Sequence, residues 1–259
     1  MYPPRSPFRL VWLAIASCLV AAPLMSVPAA ANPVVPARLA LPHVALRIAH
    51  DAGLRIVAFG SSSTEGVGAS SPAATYPKRL EAWLQAILHG KVEVVNAGIG
   101  GEDADDMARR IPAVIALRPD LVVWQTGSND PLREVPLERF VAQTRDGILA
   151  LRRSGIDVML MEPQDCAVLR AHTGSLAYRD GLRQLAGDMQ VPLVRRYDLM
   201  HEWLADGRLT PAQMLFHDGL HMTDGGYALL ATEVGKEILA LTARPGAALG
   251  GAVMAGSVK

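Results

Sequence analysis

Short β-branched apolar runs alternate with longer helical patterns through most of this chain, and that alternation restricts the possible folds more than any other feature. Leu54–Phe59 is a compact apolar run that stops at Gly60, which fits a strand buried on both faces. Tyr76–His89 follows, with Leu80, Trp83, Leu84 and Ile87 at helical spacing, and closes at Gly90. The pattern then repeats. Val92–Val95 reads as a strand, Asp103–Leu117 as a helix, Leu121–Trp124 as a strand and Leu137–Arg153 as a helix. Asp157–Met161, Leu176–Met189 and Pro192–Val194 continue it as strand, helix and strand, and a last helix starts at Thr223. Strands joined through helices of roughly 12–17 residues form right-handed crossovers and a parallel sheet covered on both faces. About five strands fit a single three-layer α/β/α domain, placed over residues 54–243. Residues 32–53 form a lead-in with one helix, and 244–259, mostly Gly, Ala and Val without periodicity, a disordered tail.

The first 31 residues read as an address rather than as part of the fold. Arg5 and Arg9 precede an uncharged apolar run, Leu10–Ala22, and small residues end at Ala31. A positive start, an apolar middle and small residues before the cut are the features of a cleaved signal peptide. The run is short for a membrane span, which needs roughly 20 apolar residues, and Pro23 and Pro28 keep it from extending toward Ala31. A lipoprotein anchored at Cys18 is less favoured, because Arg9 leaves too short an apolar stretch before it. The expectation is an exported protein, periplasmic or secreted, with no stable membrane span after cleavage. Cys166 is then the one remaining cysteine and reads as a buried, inert thiol.

Charge narrows the partners. Lys and Arg together number 25, as do Asp and Glu, so no basic excess exists to hold a phosphate backbone, and nucleic acid is not an expected partner. Two cysteines cannot build a disulfide framework or a structural zinc site.

In an open parallel sheet the loops at the carboxyl ends of the strands form the functional crevice. Gly60-Ser61-Ser62-Ser63-Thr64-Glu65-Gly66 follows the first strand, Asn96–Glu102 the second and Thr126–Asp130 the third. Phe216–His221 stands before the last helix. Acyl transfer from an ester needs a hydroxyl, a base to activate it, a carboxylate to orient the base and donors for the oxyanion. The serine-rich loop offers the hydroxyl. Asp218 and His221, separated by Gly219 and Leu220, offer acid and base, and Gly101 and Asn129 offer a bare backbone N–H and a side-chain amide. Composition alone leaves Ser61, Ser62 and Ser63 open as the nucleophile.

These four segments resemble the SGNH, or GDSL-like, hydrolase family. The family's first block, roughly Gly-Asp-Ser-(apolar)-Thr-x-Gly, aligns with Gly60, Thr64 and Gly66 and puts Ser62 at the nucleophile. Its second block, Asn-x-x-x-x-Gly, matches Asn96 through Gly101. Its third, Gly-x-Asn-Asp, matches Gly127 through Asp130, and its last, Asp-x-x-His, matches Asp218 through His221. The resemblance implies a flavodoxin-like fold with a five-stranded parallel sheet. It also implies a Ser62, His221 and Asp218 triad, an oxyanion hole of the Ser62 and Gly101 amides with the Asn129 side chain, and no cofactor. One departure stands out: Ser61 occupies the position of the family's Asp.

Other readings fit less well. No Lys follows the glycine loop as a phosphate-binding motif requires, and Asp103 stands where a dinucleotide fingerprint needs glycine. Asp218 and His221 lack further ligands at metal-binding spacing. Asp130 is assigned to holding its loop, and His172, His201 and His217 to surface or supporting positions. The expected function is an exported serine esterase, with O-deacetylation of a cell-envelope carbohydrate as the substrate reading. Lysophospholipase or thioesterase activity, O-acyl transfer through the same serine and non-catalytic glycan binding are the alternatives.

Overall fold

The computed structural model describes residues 41–89 and 91–242. The expected signal peptide 1–31, the part of the lead-in before Leu41 and the expected tail 244–259 lie outside the described residues, as does Cys18. The chain enters through helix α1 (Pro42–Ala49), strand β1 (Leu54–Gly60) and a single helical turn, α2 (Ser62–Glu65). A short 3-10 turn (Pro72–Ala74) leads into α3 (Tyr76–Leu88), β2 (Val92–Gly98), α4 (Ala104–Ala116), β3 (Leu121–Gln125) and α5 (Leu137–Arg153). Then come β4 (Asp157–Met161), α6 (Ala167–Ala171), α7 (Ser175–Met189), β5 (Leu193–Val194), α8 (Arg196–Ala205), α9 (Pro211–Met214) and α10 (Asp224–Thr242).

All strand pairs are parallel and the order is β2-β1-β3-β4-β5, the flavodoxin-like arrangement. Side chains alternate across each strand, and the alternation sorts the core into two halves. Ile56, Ala58, Leu121, Val123, Met159 and Met161 face one side, where they pack with Leu80 and Leu84 of α3, Trp203 of α8 and Tyr227 and Val234 of α10. Val57, Phe59, Val122, Trp124, Val158 and Leu160 face the other, against Met107 and Ile111 of α4, Phe140 and Ile148 of α5 and Leu182 of α7. Ile56–Phe59, Leu121–Trp124 and Val158–Met161 in the central strands are buried on both faces, which is why they read as apolar runs.

The structure extends β2 to Gly98 rather than ending it at Val95. Asn96, Ala97 and Gly98 stay in register with Ala58, Phe59 and Gly60 of β1. That ladder is made by backbone groups, to which the polar change in sequence is invisible. The stretch after β5 also forms α8 and α9, which periodicity does not reveal. Arg196 occupies a fully buried position alongside Met200 and Trp203, and a charge at a core position breaks the apolar pattern.

Candidate active site

The order β2-β1-β3 puts the loop after β1 between the loops after β2 and β3. The glycine at the end of β2 permits close approach: a Cβ on Gly98 would meet the Glu65 amide nitrogen at 2.1 Å. Asn96 fastens the junction, donating to the Glu65 carbonyl at 3.1 Å and accepting from the Gly98 N–H at 2.9 Å. A Cβ on Gly100 would stand 3.7 Å from that of Ser62, so the second loop runs beside the serine turn.

The three adjacent serines point in different directions. The Ser61 hydroxyl is buried and donates to Gln125 Oε1 at 3.1 Å, an acceptor also used by the Ser61 backbone N–H. Ser63 is buried too and accepts from Arg196 Nη2 at 3.3 Å. Ser62 Oγ lies 2.8 Å from His221 Nε2. Ser62 opens the helical turn that the left-handed Gly66 closes, with Ser61 as its extended N-cap, and Gln125 and Arg196 hold the two flanking hydroxyls inward. Ser61 holds Gln125 with a neutral hydroxyl, so the buried position that carries Asp in the related pattern here needs no charge.

Asp218 and His221 sit at the tip of a small hairpin whose feet are apolar. Leu215 and Met222 bridge antiparallel, the Phe216 N–H donates to the His221 carbonyl at 2.8 Å, and Met214 and Met222 are buried in the core. Gly219 turns the chain at φ 67°. Asp218 Oδ2 then meets His221 Nδ1 at 2.6 Å, while Oδ1 accepts the backbone N–H groups of Leu220 and His221 at 2.9 and 3.0 Å. Partial burial by itself would raise the Asp218 carboxyl, but the His221 ring and these two N–H donors outweigh it and hold it down at about 2. The carboxylate, imidazole and hydroxyl therefore form one continuous hydrogen-bonded line.

Gly101 has φ 80° and its Cβ position is open, so glycine is favoured there by conformation rather than by space. Asn129 Nδ2 donates to the carbonyl of Glu102, the residue after Gly101, at 2.7 Å. An amide nitrogen carries two hydrogens, so this bond ties the third loop to the second and leaves one donor. Asp130 Oδ1 accepts the Ala104 N–H at 2.9 Å at the start of α4, the loop-holding part expected of it. Its Oδ2 is buried without a partner among the described residues. Burial and the nearby Asp103 charge push the Asp130 carboxyl up to about 6, against the pull of the Ala104 N–H.

Gln125 and Arg196 were not singled out by sequence reasoning. Arg196 is fully buried, and its lowered pKa reflects that burial, with Tyr227, Tyr76 and Cys166 nearby opposing the shift. Cys166 is buried and free, and burial raises its thiol. His201 and His217 are exposed and His172 is half-buried; His201 Nε2 lies 3.0 Å from Asp165. The available signal for Gln125 is one polar residue closing an otherwise apolar strand at its carboxyl end.

Residues 27–223 match the model of the Non-GDSL lipase-like family. The chain belongs to this family. It is thus an ester hydrolase of the SGNH/GDSL type, and the family's name agrees with the serine at position 61. Among curated proteins, an arylesterase of Vibrio mimicus is 26% identical over 153 residues, spanning 58% of this chain and 72% of its own length. Solved structures share the fold. An acetyl xylan esterase from Geobacillus stearothermophilus aligns with a TM-score of 0.61 at 24% identity, over 73% of this chain and 96% of that one. A two-domain esterase active on acetylated mannans gives a TM-score of 0.67 at 20% identity, over 83% of this chain and 56% of that one. Among the described residues no helix is long and apolar enough to cross a membrane.

Proposed function

We propose that this family member is an exported serine esterase that removes short acyl groups, acetyl foremost, from a cell-envelope carbohydrate. The line from Asp218 through His221 to Ser62 carries the reading. Ser62 Oγ attacks the ester carbonyl while His221 Nε2 takes its proton, and Asp218 orients the ring and stabilises its charged form. The oxyanion is met by the Ser62 and Gly101 amides and by the free hydrogen of the Asn129 amide. His221 returns the proton to the leaving alcohol, and water then releases the acid from Ser62 by the same steps in reverse. Export rests on Arg5, Arg9, the Leu10–Ala22 run and the small residues ending at Ala31.

The carbohydrate substrate is supported by relatives of this fold that act on acetyl xylan and acetylated mannans. A longer acyl chain is the second reading, favoured by the exposed apolar side chains of Val67 and Ile99 in the segments beside Ser62. Covalent labelling with a fluorophosphonate, followed by mass mapping, should modify Ser62, and Ser62→Ala should lower kcat on p-nitrophenyl acetate by about 10⁴-fold or more. Wild-type turnover in Ser62→Ala, with Ser61→Ala or Ser63→Ala inactive, would place the nucleophile elsewhere. Comparing kcat/KM on acetyl and decanoyl esters separates the two substrate readings; a preference for decanoyl removes the deacetylase.

A further inference from the structure

Beneath the site, side chains that take no part in the acyl transfer itself form an unbroken polar line through the protein interior. Gln125 Oε1 accepts from the Ser61 backbone N–H at 3.0 Å, the Ser61 hydroxyl at 3.1 Å and the Thr64 hydroxyl at 3.3 Å. Gln125 Nε2 donates to Ser128 Oγ at 3.0 Å, and Ser128 Oγ donates to Gln164 Oε1 at 3.2 Å. Gln164 Nε2 donates to the carbonyl of Leu220 at 3.1 Å. That carbonyl belongs to the peptide whose N–H, on His221, donates to Asp218 Oδ1 at 3.0 Å.

We propose that Gln125, Ser128 and Gln164 are positioning residues that lock the nucleophile turn, the Asn129 loop and the Asp218–His221 hairpin into one geometry. This rests on the assignment of Ser62, His221 and Asp218 as the triad. Three observations carry it. The line visits each of the three loops one residue away from a proposed catalytic group: Ser61 beside Ser62, Ser128 beside Asn129 and Leu220 beside His221. Every bond points the same way, from the Ser61 hydroxyl to the Leu220 carbonyl, so each polarises the next. Ser61, Thr64, Gln125, Ser128 and Gln164 are all 5% exposed or less, so water does not compete for these bonds, and a missing partner leaves a buried group unsatisfied.

Gln164 has the most direct lever on the base. It grips one side of the Leu220–His221 peptide while Asp218 grips the other, fixing the plane from which the imidazole springs. The line also gives Ser61 a task, since its hydroxyl and N–H both anchor the chain's first link.

The test uses Gln125→Leu, Ser128→Ala, Gln164→Leu and the Gln125→Leu/Gln164→Leu pair in the full-length enzyme, with kcat and KM on p-nitrophenyl acetate and the rate of Ser62 labelling by a fluorophosphonate. Gln164→Leu is expected to lower kcat about 10- to 100-fold, as a misplacement of about 1 Å can. Its KM should stay within about threefold and its labelling should slow in step. A connected line predicts that the pair loses little more than its worse single variant, since either change cuts it. A pair whose loss is the product of the singles, or a folded Gln164→Leu with kcat within about twofold of wild type, overturns the proposal. Should Gln164→Leu not fold, Ser128→Ala, which removes a single hydroxyl, decides: lowered kcat at constant KM supports the line, and unchanged kcat overturns it. Failure of the Ser62 assignment looks different, because Ser62→Ala would then stay active whatever the line does.

Discussion

The hairpin carrying Asp218 and His221 reaches Ser62 from one side, the loop carrying Gly101 runs beside the serine turn on another with the Asn129 loop tied to it, and the two sides are held differently. On the hairpin, a charged acceptor draws in two backbone N–H groups and a ring nitrogen within three residues of itself, and its pKa falls to about 2. Across the serine, Gly101 and Asn129 follow β2 and β3, strands separated in the sheet by β1. Their loops are joined by a neutral amide-to-carbonyl bond and by Arg133, which donates to the Gly101 carbonyl and pairs with Asp103, both at 3.1 Å. One carboxylate on that side, Asp130, is buried with one oxygen unpaired among the described residues and is pushed up to about 6. One acid is stabilised by ionising and the other is burdened by it. In the proposed reading, the half of the site that would move protons is built locally around a charge, whereas the half that would receive an oxyanion depends on loops that the sheet brings together.

Breaking the hairpin side should have the largest effect. Asp218→Asn removes the charge that orients the imidazole, and kcat should fall by about 10⁴-fold with KM for p-nitrophenyl acetate nearly unchanged. A loss below tenfold would make Asp218 a mere turn residue. Next in size, Asn129→Ala should cost about 10²–10³ in kcat, the usual loss for one oxyanion donor. If the loss fell on KM instead, Asn129 would be serving ground-state binding.

The smallest effect separates the two acids. An unfolded Asp titrates near 4, and Asp130 titrates at about 6 in the folded chain. Between those values the folded chain holds a proton that the unfolded chain has lost, so this group's contribution to stability declines as pH rises from about 4 to about 6. Asp130→Asn keeps an acceptor for the Ala104 N–H and removes that decline. Urea denaturation at pH 4, 5, 6 and 7 should therefore show the variant gaining on wild type across the window, by on the order of 1–2 kcal/mol. A constant difference at every pH would mean that Asp130 does not titrate there. Asp218 works with the opposite sign: its contribution is full above about 4 and is lost as pH falls toward about 2.

Much of the architecture was legible because apolar periodicity reports burial. β1 from Ile56 onward, β3 and β4 are buried on both faces and read as apolar runs, and α5 keeps the predicted limits Leu137–Arg153. The misses fall where apolar periodicity carries no signal. The end of β2 is held by backbone pairing, α2 is a single turn, and α8 hides a buried Arg196 in its first position. The Asp-x-x-His spacing was legible because its interactions close within three residues, and the serine block because it follows a strand.

By sequence alone, the chain's order of strands and helices, the end of the sheet at which chemistry belongs and the residue types able to perform it were all determined, since each depends on neighbours within a few positions. Composition left three consecutive serines open and the family pattern pointed to Ser62, but the contact between that hydroxyl and the imidazole is made only in three dimensions. Ser61 and Ser63 are drawn inward by Gln125 and Arg196, distant residues buried in the assembled core, and the hydroxyl between them is left to face His221. A side chain's direction is a property of what packs around it, and packing joins segments that the linear order keeps far apart.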